Sequence, residues 1–178
     1  MRVAILTISD AGARGERTDT SGEAAENWAA GRKYSVVARA LVPDETVAIV
    51  AKLVEWCDTG AADLVLTTGG TGLSHRDVTP EATRAVIERE AIGIAERIRL
   101  LSLQSFPRAA LSRGISGIRK RTLIVNLPGS TSGVNDGLEA LNAIIDHAIS
   151  VLRGDRLDHS ETAEGVPLSS PTSQPSTR

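Results

Sequence analysis

Cysteine is almost absent from this chain, aromatic residues are scarce, and neither sign of charge dominates. The single cysteine, Cys57, excludes an internal disulfide and any multi-cysteine zinc site. It falls on an apolar helical stripe, where an inert core thiol is expected. Trp28, Tyr34, Trp56 and Phe106 are the only aromatic residues. They are too few to form the stacking platforms on which single-stranded nucleic acids bind, so the core must be built from Ala, Val, Ile and Leu. The formal charge of -2 and the pI near 5.9 give no basic footprint, and no nucleic-acid partner is expected. No apolar run approaches the length of a membrane span. The N-terminal run Val3 to Ile8 is too short for a signal-peptide core and soon meets Asp10. A cytoplasmic protein with no membrane partner is the expectation. His75, His147 and His159 lie far apart without metal-ligand spacing, and no Gly-x-Ser-x-Gly elbow exists.

What is present is a regular alternation. Val3 to Ile8, Ser35 to Val42, Leu64 to Thr68 and Leu123 to Leu127 are apolar or β-branched runs that read as strands. Between them lie helical segments: about Thr20 to Ala30, an amphipathic stretch carrying Val47, Val50, Val54 and Cys57, and a segment opening at Pro80. Thr79 is expected to be the N-cap of that last segment. Ala91 to Ser105 extends the same crossover, and one long helix is expected from Val134 to Arg153, stopped by Gly154. The order β-α-β-α-β-α(α)-β-α predicts a three-layer α/β/α fold around a mostly parallel sheet. At 178 residues the chain suits one domain, long enough to bury about 70% of its unfolded surface. That domain is expected over residues 1–154. Residues 155–178 are rich in Ser, Thr and Pro without periodicity and read as a disordered, dispensable tail.

In an open parallel sheet, ligands bind beyond the carboxyl ends of the strands. The segments there are Ser9-Asp10, Pro43-Asp44-Glu45, Gly69-Gly70-Thr71-Gly72 with Arg76-Asp77, and Pro128-Gly129-Ser130-Thr131. Glycines and small hydroxyl residues let backbone N–H groups approach an anion. Asp10, Asp44 and Asp77 could hold Mg²⁺ on a nucleotide. Structural readings stand beside these. The glycine run is neither a P-loop nor a dinucleotide fingerprint and also suits a tight strand-to-helix turn. Asp44 could be the N-cap of the second helix, and Asp10 a turn residue. Asp77 is left over once Thr79 and Pro80 occupy the start of their helix, which favours a site role over a local turn. The basic cluster Arg113, Arg119, Lys120 and Arg121 could steer an anion, although a solvated face accounts for most of it.

Taken in order, these motifs resemble a known family. Thr67-Thr68-Gly69-Gly70-Thr71-Gly72 followed by Arg76-Asp77-Val78-Thr79-Pro80-Glu81-Ala82 is similar to the signature of the molybdenum-cofactor synthesis family. Its members include the bacterial Mog and MoaB proteins and the G domain of gephyrin. Thr7-Ile8-Ser9-Asp10, Val42-Pro43-Asp44-Glu45, Leu111-Ser112-Arg113 and Asn126-Leu127-Pro128-Gly129-Ser130 extend the likeness over about residues 1–154. The resemblance implies Mg²⁺-dependent transfer of AMP from ATP to molybdopterin, with release of pyrophosphate. It implies Asp44 and Asp77 as the key acidic residues, catalytic and metal-binding. Ser9, Asp10, Thr68, Gly69, Gly70, Thr71, Gly72, Asn126, Pro128, Gly129, Ser130 and Thr131 would line the nucleotide and pterin pocket. It also implies a homotrimer that hands its product to a molybdenum-insertion protein. Few residues separate Gly129 from the last helix, as in the compact MoaB-like branch, some of whose members only bind pterin.

Overall fold

A computed structural model describes residues 1–155. The elements run β1 Arg2–Ile8, α1 Asp10–Ala13, α2 Thr20–Gly31, β2 Ser35–Val42, α3 Thr46–Asp58, β3 Leu64–Thr68, α4 Thr79–Val86, β4 Arg89–Glu90 and α5 Ile92–Leu103. A 3-10 turn at Pro107–Leu111 follows, then β5 Ser116–Arg119, β6 Thr122–Leu127, α6 Thr131–Asn142 and α7 Ile145–Arg153. The expected tail, from 156 on, lies outside the described residues.

The six strands form one sheet in the order β2-β1-β3-β6-β5-β4. β2, β1, β3 and β6 are mutually parallel, while β5 and β4 are added antiparallel. Alternation along β1 sorts its side chains onto two faces. Val3 and Ile5 join Ala25, Ala29, Ile98, Leu138, Leu141 and Ile149, under α2, α5, α6 and α7. Ala4, Leu6 and Ile8 join Ile49, Leu53, Trp56, Ala82 and Val86, under α3 and α4. The result is the α/β/α sandwich read from the sequence. From β1 the chain steps outward to β2, then returns past β1 to β3. The strand order thus reverses between β1 and β3, and such a reversal opens a crevice at the carboxyl ends of those strands.

Three expectations are corrected. β4 and β5 add to the strands expected from the sequence, because Arg89-Glu90 is charged and exposed and Ser116-Gly117-Ile118-Arg119 carries no apolar run. The last helix is two: Ile144 leaves helical geometry at φ -127°, two residues after Asn142, whose side-chain oxygen accepts from Trp28 and Arg32. Thr79 is not an N-cap, since its hydroxyl donates to the Gly69 carbonyl instead. Cys57 is buried as expected, and burial pushes its thiol up to about 11.

At the amino end of the sheet, Asp63 ties the first strand to the last helix. It accepts from the Arg2 backbone N–H at 2.7 Å, from the Arg2 guanidinium at 2.8 Å, and from Arg153. Burial alone would raise its pKa, but the Arg2 and Arg153 hydrogen bonds outweigh it and hold the carboxyl well below the usual range. A depressed pKa stabilises the fold above the unfolded value, and that stability is lost as pH falls through the folded one. Asp63→Asn should therefore cost about 1–3 kcal/mol at neutral pH. The gap from the parent should shrink as pH drops below about 4. Urea midpoints across that range test this; a gap independent of pH would contradict it.

Candidate functional site

Gly69 and Gly70 end β3 in the left-handed region, at φ +97° and +62°. Only glycine adopts these angles without strain. At Gly69 space alone enforces the choice, because a Cβ would sit 2.2 Å from the Ile8 carbonyl oxygen. The loop after β3 therefore lies directly against the end of β1. Thr79 fastens it from the other side, with its hydroxyl on the Gly69 carbonyl at 2.9 Å and its N–H on the Gly70 carbonyl at 3.1 Å.

The aspartates of the first two loops are locked together. The Asp10 N–H donates to the Asp44 carboxylate at 2.8 Å, and the Asp44 N–H donates back to the Asp10 carboxylate at 3.0 Å. Arg76 completes a bidentate pair with Asp10, at 3.0 and 2.9 Å. Asp10 is accordingly held below the usual carboxylate range, chiefly by the Arg76 hydrogen bond. Asp44 moves the other way: burial, together with the nearby Asp10 and Asp77 charges, raises it. Asp44 is not a helix cap, since Glu45 occupies that position without a side-chain bond. Asp77 folds back on its own loop, its carboxylate accepting from the Ser74 N–H at 2.8 Å.

Two clefts meet here. The first, about 330 Å³, is lined by Ser9, Asp44, Gly69, Gly70, Asp77, Gly129 and Ser130 among others. The second, about 490 Å³, brings Thr71, Gly72 and Pro128 together with the apolar side chains of Ile98, Phe106 and Leu111. Gly70, Asp77, Gly129 and Ser130 belong to both. Both volumes suit small-molecule sites.

Not every candidate reaches the clefts. Asn126 is buried beneath them: its amide donates to the Thr67 and Thr83 hydroxyls, each at 2.9 Å, and its oxygen accepts from the Ile115 N–H. Thr68 is likewise buried and donates to the Pro128 carbonyl at 2.7 Å, joining the loops after β3 and β6. Thr131 lines neither cleft, and its hydroxyl lies 2.8 Å from that of Thr20. The Asp10 carboxylate pairs with the Arg76 guanidinium and accepts from the Asp44 N–H. Of the residues the resemblance names, Asn126 and Thr68 therefore lie beneath the clefts, Asp10 is paired with Arg76 at their edge, and Thr131 lines neither cleft.

The sequence reading misses Arg17, Thr18, Asp19, Thr20 and Ser21, which wall the first cleft. Asp19 caps α2 through the Gly22 N–H and also binds the Thr7 hydroxyl and Arg39. Burial would lift its pKa, but those bonds outweigh burial and lower it. The available signal is the helix start Asp19-Thr20-Ser21-Gly22, which by itself reads only as the end of a loop.

We expect Gly69→Ala to lower stability by about 2–4 kcal/mol in denaturant titration. Gly93→Ala, at a helical position with no atom within 4 Å of the added carbon, should change it by less than about 1 kcal/mol. Equal effects at the two positions would contradict the strained-turn account.

Comparison with known proteins places this geometry. The family model described as probable molybdopterin binding domain matches residues 4–147. A molybdopterin adenylyltransferase of Escherichia coli K12 is 42% identical over 144 residues, covering 79% of this chain and 73% of that protein. The molybdenum cofactor synthesis protein cinnamon of Drosophila melanogaster is 39% identical over 163 residues, 88% of this chain but 27% of that longer protein. The crystal structure of the molybdopterin biosynthesis enzyme MoaB from Thermus thermophilus superposes with a TM-score of 0.82 at 52% identity, over 86% of this chain and 96% of that one. With the motif order, the sheet topology and the crevice agreeing, the chain belongs to the family of molybdopterin binding domains.

Proposed function

We propose that this protein adenylylates molybdopterin: it joins AMP from ATP to the terminal phosphate of the pterin and releases pyrophosphate. The observation that carries the reading is the junction of two clefts at Gly70, Asp77, Gly129 and Ser130. A reaction between two phosphate-bearing substrates needs two pockets whose phosphate ends meet. The relatives named molybdopterin adenylyltransferase support the same assignment.

The chemistry follows from this arrangement. A phosphate oxygen of molybdopterin attacks the α-phosphorus of ATP, a new P–O bond forms, and the bond to the departing pyrophosphate breaks. Such transfer depends on positioning and charge neutralisation more than on covalent help. The glycine loop presents backbone where phosphates must pass, and the hydroxyl-lined first cleft offers donors to their oxygens. The apolar wall of Ile98, Phe106 and Leu111 suits the flat face of a heterocycle.

The residues present fit a divalent cation delivered with the nucleotide. Among the described residues no three His, Cys, Asp or Glu side chains converge to hold a metal by themselves. Asp44 and Asp77, however, line the same cleft beside the glycine loop. Mg²⁺ is commonly held by one or two carboxylates plus substrate phosphates and water. Asp44 and Asp77 would be those carboxylates, and the cation would supply charge neutralisation on the phosphates. Asp10 and Arg76 would hold Asp44 in place.

We further propose a cytoplasmic homotrimer whose product passes to a molybdenum-insertion protein. The exposed Ile92, Leu100 and Leu103 on α5 offer apolar surface for assembly. The one-domain division at residue 154 belongs to the same proposal.

Asp77→Ala should lower adenylyl transfer by about 10²–10³-fold with an unchanged unfolding midpoint. The assay follows pyrophosphate and adenylylated pterin with molybdopterin, ATP and Mg²⁺. Near-normal turnover would remove Asp77 from the mechanism. A parent protein that binds pterin but leaves ATP intact would favour the silent, pterin-binding alternative.

A further inference from the structure

We propose that Arg113 is a positioning residue that sets where the Asp77 carboxylate sits. The segment from Leu73 to Arg76 is exposed, and apart from Asp77 its fixed points are few. Its internal bonds are local: the Asp77 N–H reaches the Ser74 carbonyl at 2.9 Å, and the Ser74 N–H reaches the Asp77 carboxylate. These give the loop its shape without attaching it to the body of the protein. Arg76 reaches across to Asp10, but both partners are partly solvated and the bond leaves the loop backbone untouched.

Arg113 grips that backbone at both ends. Its Nε donates to the Gly72 carbonyl at 2.7 Å and its Nη2 to the Asp77 carbonyl. Its Nη1 pairs with Glu81 in the first turn of α4, and its own N–H donates to the Thr71 carbonyl at 2.9 Å. One guanidinium therefore closes the loop where it leaves the glycine run and where it enters α4. Arg113 precedes β5, whose partner β6 is a central strand, so the clamp is anchored in the sheet. A fork of fixed N–H directions is required here. A lysine ammonium could keep the charge near Glu81 but could not span two carbonyls and a carboxylate in this geometry. This is a different use of Arg113 from the anion steering considered at the sequence level. The guanidinium is committed to protein oxygens, and its effect on chemistry passes through Asp77.

The kinetic arm of the test rests on the adenylyl-transfer reading; the hydrogen-exchange arm does not. Kinetics would be measured on the parent, Arg113→Ala, Asp77→Ala and the double variant. A misplacement of about 1 Å costs about 100-fold in rate, so Arg113→Ala should lower kcat by about that factor, with a smaller change in the KM for ATP. In the Asp77→Ala background the Arg113 substitution should change almost nothing further. Guanidinium in the assay should recover part of the Arg113→Ala loss, whereas Arg113→Lys should behave nearly as Ala does. Hydrogen exchange should speed up at the Ser74 and Asp77 amides while β3 and β6 stay protected. Independent losses that multiply in the double variant, or unchanged exchange at Ser74 and Asp77, would overturn the proposal. If Arg113→Ala does not fold, Arg113→Lys carries the same comparison. If the parent transfers no adenylyl group, the functional reading fails and exchange alone decides the clamp.

Discussion

Across the open edge of the sheet, Asp10 and Asp44 each give a backbone N–H to the other's carboxylate. That exchange joins the loops after β1 and β2, which a parallel sheet brings to the same edge without joining. It commits one side of Asp44 to the protein and leaves the rest of its carboxylate beside the cleft. Arg76 neutralises Asp10, whereas Asp44 is left facing like charge in partial burial, and its pKa rises. Two aspartates in contact are thus driven in opposite directions by their surroundings, Asp10 by its pairing with Arg76 and Asp44 by burial beside like charge.

Beneath that edge the polar residues are spent on rigidity. Asn126, buried in β6, bonds to Thr67 on β3 and Thr83 on α4 and takes the Ile115 N–H. Thr68 holds the Pro128 carbonyl, and Thr79 holds Gly69. A buried amide or hydroxyl left unpaired is costly, and a fully paired set admits essentially one arrangement. The two loops that meet at the cleft junction are therefore seated on a floor that resists repacking. Catalysis by positioning has that requirement, since the reacting phosphates gain only if the groups around them are already in place.

Much of this is legible in the chain itself. Continuous apolar strands and periodic helices are enough for the parallel core, and the rule that ligands sit at strand carboxyl ends is enough to locate the edge. Asp44, Asp77 and the glycine loop follow. What escapes is of two kinds. β4 and β5 are short and polar, and they exist because β6 offers them an edge, which no local pattern announces. The roles of Asn126, Thr68, Asp10 and Thr131 depend on side-chain direction. A motif places a residue near a site, but only packing decides whether it faces the ligand, the floor or the next helix. Asp19 is hidden differently, as a helix cap whose walling of the cleft comes from tertiary placement.

On the proposed function, this cleft moves an adenylyl group between two phosphate-bearing substrates. The most direct measurement supplies molybdopterin, Mg²⁺ and ATP labelled separately at the α- and γ-phosphorus. The α label should appear in the pterin product and the γ label in pyrophosphate, in equal amounts. Label remaining in ATP while pterin is bound, or γ label appearing in the pterin, would contradict it.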